Sequence, residues 1–594
     1  MTQTNPLVVP EGLVVPEGFK LHTENNSHIL LPDDNQAFLN PVQEFNRDLS
    51  VANIRTWANL MNAEKKKKWE ERMAKRAAQG GSKVKRQKID EARASVVTGP
   101  SGDSGSAVES TVEGHAPAPV EPAAPTHPEP QFQPQKFVAL EALSATGLRS
   151  IRYANEIPEL KYIIANDLSP EAVATMRRNV EMNGLEERTE QENGEPKIIP
   201  ARVRVNEGDA CVLMYNHRAE KERVDVVDLD PYGTAAPFID AAVQSVKDGG
   251  LLCVTCTDLP VLATNNFPEK CFSNYGSVPV KAEYCHEAAL RIVLHSLSTA
   301  AAKYGRYIRP QLSLSIDFYV RLFVRVSTGA NEVKRAISKT SVYYVCTNCQ
   351  AWYDQPMGKL TESVHANGNL NINVKTAAGP TVASGKCPEC TGNLRIAGPM
   401  WSGPLHDSEF VSEVLTHVEG NKDSYGTSTR MIGMLTMAKE ELDVPFYFTP
   451  SQVAGNFHCI APSLDNVASA LLNAGHKVSR SHACAGSLKT DAPHQKLHDV
   501  YRHWIKTHPV KMSKIKDGSL AHVLLGKEPV SEVDFKHHPH SVTVASKVNL
   551  VRYPPNPTPY WGPGKRAGGG SGSGTKRKRD GEGADGEEGE GALN

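Results

Sequence analysis

The chain has 594 residues, too many for one hydrophobic core, so we expect several domains or a few domains joined by disordered segments. Hydrophobic residues make up 39% of the chain and charged residues 22%, and no apolar run approaches the roughly 18 residues needed to cross a bilayer. We therefore expect no membrane association. The first residues match neither a secretory signal nor an Arg-rich transit peptide, so we expect no secretion.

The formal net charge of −1 hides an asymmetry, because the last 15 residues contain six acids and no bases. The rest of the chain is mildly basic, which permits nucleic-acid binding without proving it. Eleven cysteines are too sparse for a disulfide framework in a chain of this length. They favour a reducing compartment.

Residues 1–62 are predicted to be the N-terminal segment of the first domain, with a helix over Pro41 to Leu60. Residues 63–134 break from this pattern, since they are basic from Lys65 to Lys88 and then rich in Pro and Ala. This composition predicts a disordered insertion.

Two basic clusters resemble nuclear-import signals: Lys83 to Lys88, and Lys576 to Arg579 in the tail 561–594, which is predicted to be disordered. A solvated run of charge explains each cluster equally well. Two such clusters together favour the nucleus, and another start site would leave a mitochondrial pool open.

Residues 135–330 alternate apolar runs with helical stretches, which predicts an α/β domain with a parallel sheet. Ser169-Pro170 and Asn183-Gly184 mark the start and end of the clearest helix, and a second helix is predicted from Ala282 to Lys303. The predicted strands are Phe137 to Leu143, Tyr162 to Asn166, Val203 to Glu207, Val224 to Leu229, Leu251 to Thr255, and a closing pair within Leu312 to Val326.

A nucleoside-containing cofactor is indicated at three predicted strand ends. A small-residue turn around Gly147 opens a helix after the first strand, although its single glycine fails the G-x-G-x-x-G dinucleotide pattern. Asp167 follows the second strand, where an acid commonly binds ribose, and Asp209-Ala210 follows the third. Asp167 as a helix cap and Asp209 as a turn residue remain alternatives.

Asp230-Pro231-Tyr232-Gly233 follows a fourth predicted strand. An acid, a carbonyl and an aromatic face are what methylation of an exocyclic base amine requires, because the amine is a poor nucleophile and its base must be stacked. A nicotinamide cofactor does not explain this turn, whereas S-adenosyl-L-methionine explains it together with the acids. Asp258, after the next strand, either reaches the base or caps a loop.

Residues 331–560 are predicted to form a second, C-terminal α+β domain. Cys346-x-x-Cys349 and Cys387-x-x-Cys390 have the paired spacing of a closed, structural zinc site, although the stretch between them is longer than usual. A helix from Asp465 to Asn473 followed by a basic segment at 475–482 is compatible with a winged-helix nucleic-acid module or with a small accessory domain.

Several stretches in the same order resemble the tRNA guanine-26 N2-dimethyltransferases. The likeness covers most of Asn40 to Trp504 apart from the insertion. The distinctive stretches are Asn40 to Asp48, Ala142 to Arg149, Asp228 to Gly233, Gly398 to Leu405, and Ser479 to His482 with Lys489 to Pro493.

The resemblance implies a class I, Rossmann-like methyltransferase domain joined to a C-terminal domain peculiar to the family. It implies transfer of one and then two methyl groups from S-adenosyl-L-methionine to the N2 of guanine-26 in tRNA. The catalytic residues expected from the chemistry of the turn are Asp230, Pro231 and Tyr232. Carried over by motif, Arg47, Arg149, Asp167, Asp209 and Ala210 would bind the cofactor. Basic residues such as Lys477, Arg480 and Lys489 are expected to contact tRNA phosphates, and no stable protein partner is implied.

Two other interpretations of the chain's function are possible. A DNA adenine or cytosine amine methyltransferase shares an Asp-Pro turn, but Asp230-Pro231-Tyr232 lacks the second proline usual there. A non-catalytic RNA-binding protein on a methyltransferase scaffold would not need acids at three strand ends.

Overall fold

The computed structural model describes residues 15–32, 39–94, 131–192, 195–365, 368 and 370–548. The strands are β1 (Phe19–Glu24), β2 (Ser27–Pro32), β3 (Phe137–Glu141), β4 (Leu160–Asp167), β5 (Arg188–Glu192), β6 (Glu195–Ile199), β7 (Val203–Glu207), β8 (Val224–Leu229), β9 (Val246–Cys256), β10 (Arg306–Ile316), β11 (Tyr319–Thr328), β12 (Thr340–Cys346), β13 (Trp352–Pro356), β14 (Gly358–Val364), β15 (Leu370–Thr376), β16 (Leu394–Trp401), β17 (Val478–Arg480) and β18 (Leu488–Thr490).

The helices are α1 (Glu44–Ala94), α2 (Leu148–Glu156), α3 (Pro170–Met182), α4 (Ala210–Asn216), α5 (Ala236–Ser245), α6 (Leu259–Leu262), α7 (Pro268–Tyr275), α8 (Cys285–Ala302), α9 (Ala330–Arg335), α10 (Ser408–Gly420), α11 (Ser428–Glu440), α12 (Pro450–Asn456), α13 (Leu464–Asn473), α14 (His494–Thr507), α15 (Leu520–Leu525) and α16 (Val544–Lys547).

A seven-stranded sheet in the order β10-β11-β9-β8-β3-β4-β7 forms the centre of the molecule. The five strands from β9 to β7 are parallel, while β11 pairs antiparallel with both β9 and β10. Buried β-branched and leucine side chains dominate β8 and β9, as expected for strands covered on both faces. The predicted α/β class with a mostly parallel sheet is confirmed.

Local sequence signals place several elements accurately. Ser169 caps α3, since its hydroxyl accepts a hydrogen bond from the Ala172 amide at 3.3 Å and Pro170 occupies the first helical position. The helix α8 is apolar on nearly all sides and lies against the sheet, where Leu290 and Leu294 are fully buried. Each buried leucine contributes about 1.5–3 kcal/mol to folding.

The helix α1 differs from prediction because it continues from Glu44 to Ala94. The prediction of disorder is therefore wrong for residues 63–94, and residues 95–130 lie outside the described part of the chain. The physical reason is composition, since this stretch is rich in Lys, Glu, Arg and Ala, which favour helix even without a packing partner. The backbone of Lys83 to Lys88 lies in this helix, whereas Lys576 to Arg579 fall outside the described residues.

The hydrophobic core crosses the predicted boundary at residue 331. One buried cluster contains Leu140 of β3, Leu294 of α8 and Trp401 of β16, and extends to Ala483. A second cluster joins α1 and α2 to α10 and α11. The seven-stranded sheet and the C-terminal region therefore share buried surface. Among the described residues, no helix combines the length and apolar composition needed to cross a bilayer.

Candidate active site and cysteine cluster

The candidate site lies where the carboxyl ends of β3, β4, β7, β8 and β9 meet. The chain passes outward from β3 through β4 to β7, then returns to the other side of β3 and continues through β8 to β9. The reversal between β3 and β8 is the switch point at which open α/β sheets bind their ligands. The predicted acids after β4, β7 and β8 lie at this edge.

The turn between β3 and α2 has an unusual backbone. Ala145 and Gly147 both have positive φ, 46° and 79°. A Cβ on Gly147 would lie 2.7 Å from Cγ of Met176, so the neighbouring helix α3 requires glycine there. The Asp167 carboxylate accepts hydrogen bonds from the Ala145 amide at 2.9 Å and from the Ser169 amide at 3.0 Å. Asp167 thus fixes this turn as well as the entry to α3.

Asn166 was missed by sequence reasoning. Its side-chain amide donates to the carbonyls of Ala142 at 2.9 Å and Gly208 at 3.0 Å, and its oxygen accepts from Asn206 at 2.7 Å. It therefore ties together the ends of β3, β4 and β7. The available signal was a buried amide directly before Asp167 at a strand end.

Asp209 is exposed and caps α4, because its carboxylate accepts a hydrogen bond from the Val212 amide at 2.9 Å. Ala210 follows as the first residue of α4 and is buried. Asp209 therefore has a local structural role, as a helix cap and not as the turn residue that the sequence left open. This role does not remove Asp209 from the ligand-binding edge, because a capping carboxylate has lone pairs left for a ligand.

Arg149 and Asp230 are brought together at the centre of the site. Arg149 is 6% exposed and donates a hydrogen bond to the Asp230 carboxylate and another, at 3.1 Å, to the Ser50 hydroxyl. Its guanidinium also lies 3.4 Å from the Glu141 carboxylate. A residue expected to bind cofactor is thus paired with the predicted catalytic acid.

Arg47 likewise forms an ion pair with a protein carboxylate. It lies in α1 and donates to both oxygens of Glu24, one of them at 2.7 Å, and Arg152 donates to the same carboxylate at 3.0 Å. Burial by itself disfavours the charged carboxylate, but Arg47 and Arg152 hold the pKa of Glu24 well below its usual range. The structure does not bring Arg47 into the cluster around Asp230.

Behind Asp230 lies a buried layer of charge centred on Asp228. Arg321 donates to its two oxygens at 2.8 and 2.9 Å, and the Tyr153 hydroxyl donates at 2.6 Å. Although burial opposes ionisation, Arg321 and Arg149 lower the pKa of Asp228. Burial raises the pKa of Glu141 to about 7, an effect that Arg149 partly offsets. When Glu141 is neutral, the carboxylates of Asp228 and Asp230 face the guanidinium groups of Arg149 and Arg321.

The turn after β8 is held by the end of β9. The Gly233 amide donates to the Thr257 hydroxyl at 2.8 Å, and the Thr257 amide donates to the Gly233 carbonyl at 2.8 Å. Pro231 is buried, whereas Tyr232 is 51% exposed and presents an aromatic ring at the edge of the site. Partial burial, with Asp230 and Asp167 nearby, raises the pKa of Tyr232 to about 12, so its hydroxyl stays protonated.

Asp258 occupies the N-cap position of α6, but its side chain makes no capping hydrogen bond. Both of its oxygens accept from the Tyr275 hydroxyl at 3.0 Å, and that hydroxyl lies 2.6 Å from the Thr234 hydroxyl next to the Gly233 turn. Burial raises the pKa of Asp258, with Tyr275 opposing the effect. A second carboxylate is therefore linked to the turn that carries Asp230.

The four predicted zinc ligands form one buried cluster. The sulfur atoms of Cys346, Cys349, Cys387 and Cys390 lie within 4.8 Å of one another, with 3.3 Å between Cys346 and Cys390 and 3.6 Å between Cys349 and Cys387. A tetrahedral zinc ion with Zn–S bonds of about 2.3 Å requires S–S separations of about 3.8 Å. The long spacing between the cysteine pairs accommodates the β14–β15 hairpin.

A second group has metal-binding residue types: His406, Glu441 and His482. Nδ1 of His482 is hydrogen-bonded to the Glu441 carboxylate at 2.6 Å, and Nε2 of His406 lies 3.7 Å from it. The amides of Ser313 and Ser315 in β10 donate to Nδ1 of His406 at 3.3 Å and to Nε2 of His482 at 3.1 Å. Each ring therefore carries its proton on the nitrogen that faces Glu441, and no lone pair is left there for a metal.

Lys489 joins this cluster and corrects one prediction. It is 1% exposed, and its ammonium lies 3.1 Å from Glu441 and 3.3 Å from Glu287. Burial alone would raise the pKa of Glu441, but His482 and Lys489 hold it well below its usual range. The prediction that Lys489 contacts phosphates is wrong because two buried glutamates enclose it. Lys477 is exposed and Arg480 is half-buried.

The sequence model of a family described as N2,N2-dimethylguanosine tRNA methyltransferase matches residues 18–502. The chain belongs to this family. It is 41% identical over 556 residues to a tRNA (guanine(26)-N(2))-dimethyltransferase of Schizosaccharomyces pombe, covering 92% of each chain. It is 40% identical to one of Saccharomyces cerevisiae described as mitochondrial, covering 93% of this chain and 92% of the relative.

Within the N2,N2-dimethylguanosine tRNA methyltransferase family, a similar fold is seen in Trm1 from Pyrococcus horikoshii, solved with S-adenosyl-L-methionine. The TM-score is 0.55 at 24% identity, over 81% of this chain and 99% of that chain. The predicted family resemblance and the Rossmann-like methyltransferase fold are therefore confirmed.

Proposed function

We propose that this member of the family transfers one and then two methyl groups from S-adenosyl-L-methionine to the exocyclic N2 of guanine at position 26 of tRNA, giving N2,N2-dimethylguanosine. The main observation in support of this proposal is the turn at Asp230-Pro231-Tyr232. It places an oriented carboxylate, a carbonyl and an exposed aromatic ring together at the switch point of the sheet.

The residues at the switch point fit a nucleoside-bearing cofactor. The turn around Gly147 leads into the N-terminus of α2 at this edge, and Asp167 and Asp209 stand at adjacent strand ends. We assign the nucleoside to Asp167, Asp209 and Ala210. The resemblance also assigns Arg47 and Arg149, whose guanidinium groups would have to be shared with Glu24 and Asp230. S-adenosyl-L-methionine supplies an electrophilic methyl group on a sulfonium.

The chain's own residues then prepare the base. Tyr232 stacks the guanine, which must first leave its stack in the tRNA at a cost of a few kcal/mol. The Asp230 carboxylate and the Pro231 carbonyl accept hydrogen bonds from the N2 amine, which orients its lone pair. As the new N–C bond forms, the amine becomes acidic and loses its proton to Asp258 or to water. A second transfer requires the pocket to accept the monomethyl amine in a rotated orientation.

The cysteine cluster is proposed to hold a structural zinc ion. All four ligands are protein thiolates in a buried, nearly tetrahedral set, so the ion would have no open position for substrate. The cluster packs with Phe457, Leu471 and Tyr501, so the ion would fasten β12 and β16 to the C-terminal helices. Its role would be folding of residues 331–560, not catalysis.

The region 331–560 is proposed to bind tRNA through a winged-helix-like unit. In support, α12 and α13 precede the β17–β18 hairpin, and Phe448 bridges to Leu488 as a third short strand would. Exposed Lys477 lies at the start of this hairpin. For location we propose the nucleus, from the two basic clusters, with an additional mitochondrial pool in keeping with the description of the Saccharomyces cerevisiae relative.

The test is to incubate the purified chain with S-adenosyl-L-methionine and an unmodified tRNA transcript that has guanine at position 26, then to analyse nucleosides by mass spectrometry. N2,N2-dimethylguanosine is expected with the wild type and is expected to be lost with Asp230→Ala. Asp354→Ala, an exposed acid on β13, is the matched control and should retain activity. Tight tRNA binding without methylated guanosine would overturn the proposal in favour of a scaffold, and a methyl group on another base would overturn the proposed substrate.

A further inference from the structure

The part of α1 that extends beyond the sheet carries an exposed basic surface that the proposed active site does not use. We propose that this surface, the basic stripe formed by Lys68, Arg72, Lys75 and Arg76, binds the phosphate backbone of the tRNA substrate. The inference rests on the proposed function for the identity of the RNA. It concerns affinity for RNA and leaves the chemistry at Asp230 unchanged.

Helix geometry places the four residues of the basic stripe on one side of α1. Arg72 follows Lys68 by four residues, and Lys75 and Arg76 follow Arg72 by three and four, so all four lie within an arc of about 100° on a helix with 3.6 residues per turn. All four side chains are exposed. From Lys65 to Arg76 the chain has seven lysines and arginines against two glutamates, so the surface is positive overall. A positive surface of this kind attracts polyphosphates.

The base of the stripe is fixed to the sheet. Glu64, one turn before Lys68, accepts hydrogen bonds from both terminal nitrogens of Arg325 at 2.8 Å. Arg309 on the edge strand β10 lies opposite Arg325 in the strand register and is exposed. The positive surface therefore continues from α1 onto the sheet edge. Because Glu64 neutralises Arg325, the cations left for a ligand are Arg309 and the stripe.

The neighbouring side of α1, one turn or more before Arg76, is covered by the chain's own residues. Lys65 donates to the Gln135 side chain at 2.7 Å, and the Trp69 ring lies 6.1 Å from the ring of Phe132. Segment 131–135 thus packs beside the stripe and holds the helix against the domain. The side that carries Lys68, Arg72 and Lys75 remains exposed.

The stripe is remote from the candidate active site. Trp57 of α1 donates to the carbonyl of Gly249, near the start of β9, whereas the end of β9 borders the site. From Ser50, which contacts Arg149, the helix rises about 27 Å to Lys68 and about 39 Å to Arg76, a distance comparable to the roughly 34 Å of one turn of duplex nucleic acid. A large folded RNA can contact both places, whereas an isolated nucleotide or a short stem cannot. Phosphate contacts there would add salt-dependent affinity without selecting the base.

The experiment compares two double variants of the full-length chain. Arg72→Gln/Lys75→Gln removes two charges from the stripe, and Lys66→Gln/Lys67→Gln removes two exposed charges from other sides of the same helix. Glutamine preserves helix propensity. The control positions lie about 100° or more around the helix from Lys68. Binding of full-length tRNA is measured across salt concentrations, and methylation is measured as kcat and KM.

The stripe variant is expected to weaken tRNA binding about tenfold and to reduce the slope of log K against log salt by about 1.5, with kcat at saturating tRNA unchanged. The control variant should lose less than about threefold. Equal effects of the two variants, or no effect of either, would overturn the proposal. Failure of the wild type to methylate tRNA while the stripe still governs RNA binding would refute the proposed function alone.

Discussion

Arg149, in the first turn of α2, donates a hydrogen bond to Asp230, the residue that follows β8, and so joins the two sides of the switch point through one ion pair. The pair gives Asp230 a fixed orientation. We expect Arg149→Lys to lower kcat on the order of 100-fold, because lysine keeps the charge but loses the planar fork that aims the carboxylate.

The measurement is single-turnover methylation of tRNA together with calorimetric binding of S-adenosyl-L-methionine. If Arg149 acts through Asp230, the cofactor dissociation constant stays within about threefold of the wild type. A large loss of cofactor affinity with an unchanged single-turnover rate would instead assign Arg149 to the cofactor.

Glu141 is predicted to make the folded protein less stable as pH rises. Burial raises the pKa of Glu141 from the usual 4.5 to about 7, so the native state holds the proton more tightly than the unfolded state does. Its contribution to stability is complete below pH 4.5 and is lost as pH rises to about 7, amounting to roughly 3 kcal/mol.

Urea unfolding at pH 5 and pH 8 tests this contribution. The difference in unfolding free energy between the two pH values should be smaller in Glu141→Gln, because the amide cannot titrate. All other ionisable groups cancel in the comparison with the wild type. The same pH dependence in both proteins would contradict a proton on Glu141.

Removal of the cysteine cluster's metal is expected to destabilise the C-terminal region. Cys387→Ser should lower the zinc content from one ion per chain to near zero and lower the melting temperature by about 10 °C. Zinc is measured by elemental mass spectrometry and melting by calorimetry. Cys459→Ser, at a partly buried thiol outside the cluster, is the control and should keep the metal. Retained zinc in Cys387→Ser would exclude the four-thiolate site.

Alanine substitution at two glycines with positive φ distinguishes the cost of backbone strain from the cost of a steric clash. Gly147→Ala combines a φ of 79° with a Cβ that would lie 2.7 Å from Met176, whereas Gly276→Ala has a φ of 65° and nothing within 4 Å. We expect losses of about 3 kcal/mol and about 1 kcal/mol in unfolding free energy. Gly147→Ala should also weaken cofactor binding. Equal losses in the two variants would show that α3 yields to the added methyl group.

Local signals were sufficient for much of the catalytic sheet. The apolar run Val224 to Leu229 and the cap and stop signals around α3 depend only on neighbouring residues, and both elements were predicted within a residue. The cysteine pairs were also recognisable, because four thiols at that spacing have few other uses. The carboxyl ends of parallel strands lie at the same edge of a sheet, so the predicted acids lie together at that edge.

Contacts between distant residues were not predictable in this way. Arg47 forms an ion pair with Glu24, and Lys489 forms one with Glu287, which is more than 200 residues away in the sequence. Neither side chain is therefore an exposed cation. The sequence shows such a residue as a charge and cannot show which carboxylate will enclose it. The high charge of residues 63–94 is typical of disordered segments, so the sequence does not predict that α1 continues through them. Lysine and glutamate are nevertheless good helix formers.

The core that begins with Leu140 is completed only by residues as late as Ala483, and Asp48 of α1 accepts a hydrogen bond from the amide of Thr427, 2.9 Å away. During synthesis the ribosome therefore has to deliver four-fifths of the chain before the catalytic sheet can close its interior. Until then the strands of the sheet present unpaired apolar surface. A chain terminated early would be a substrate for quality control and not a smaller enzyme.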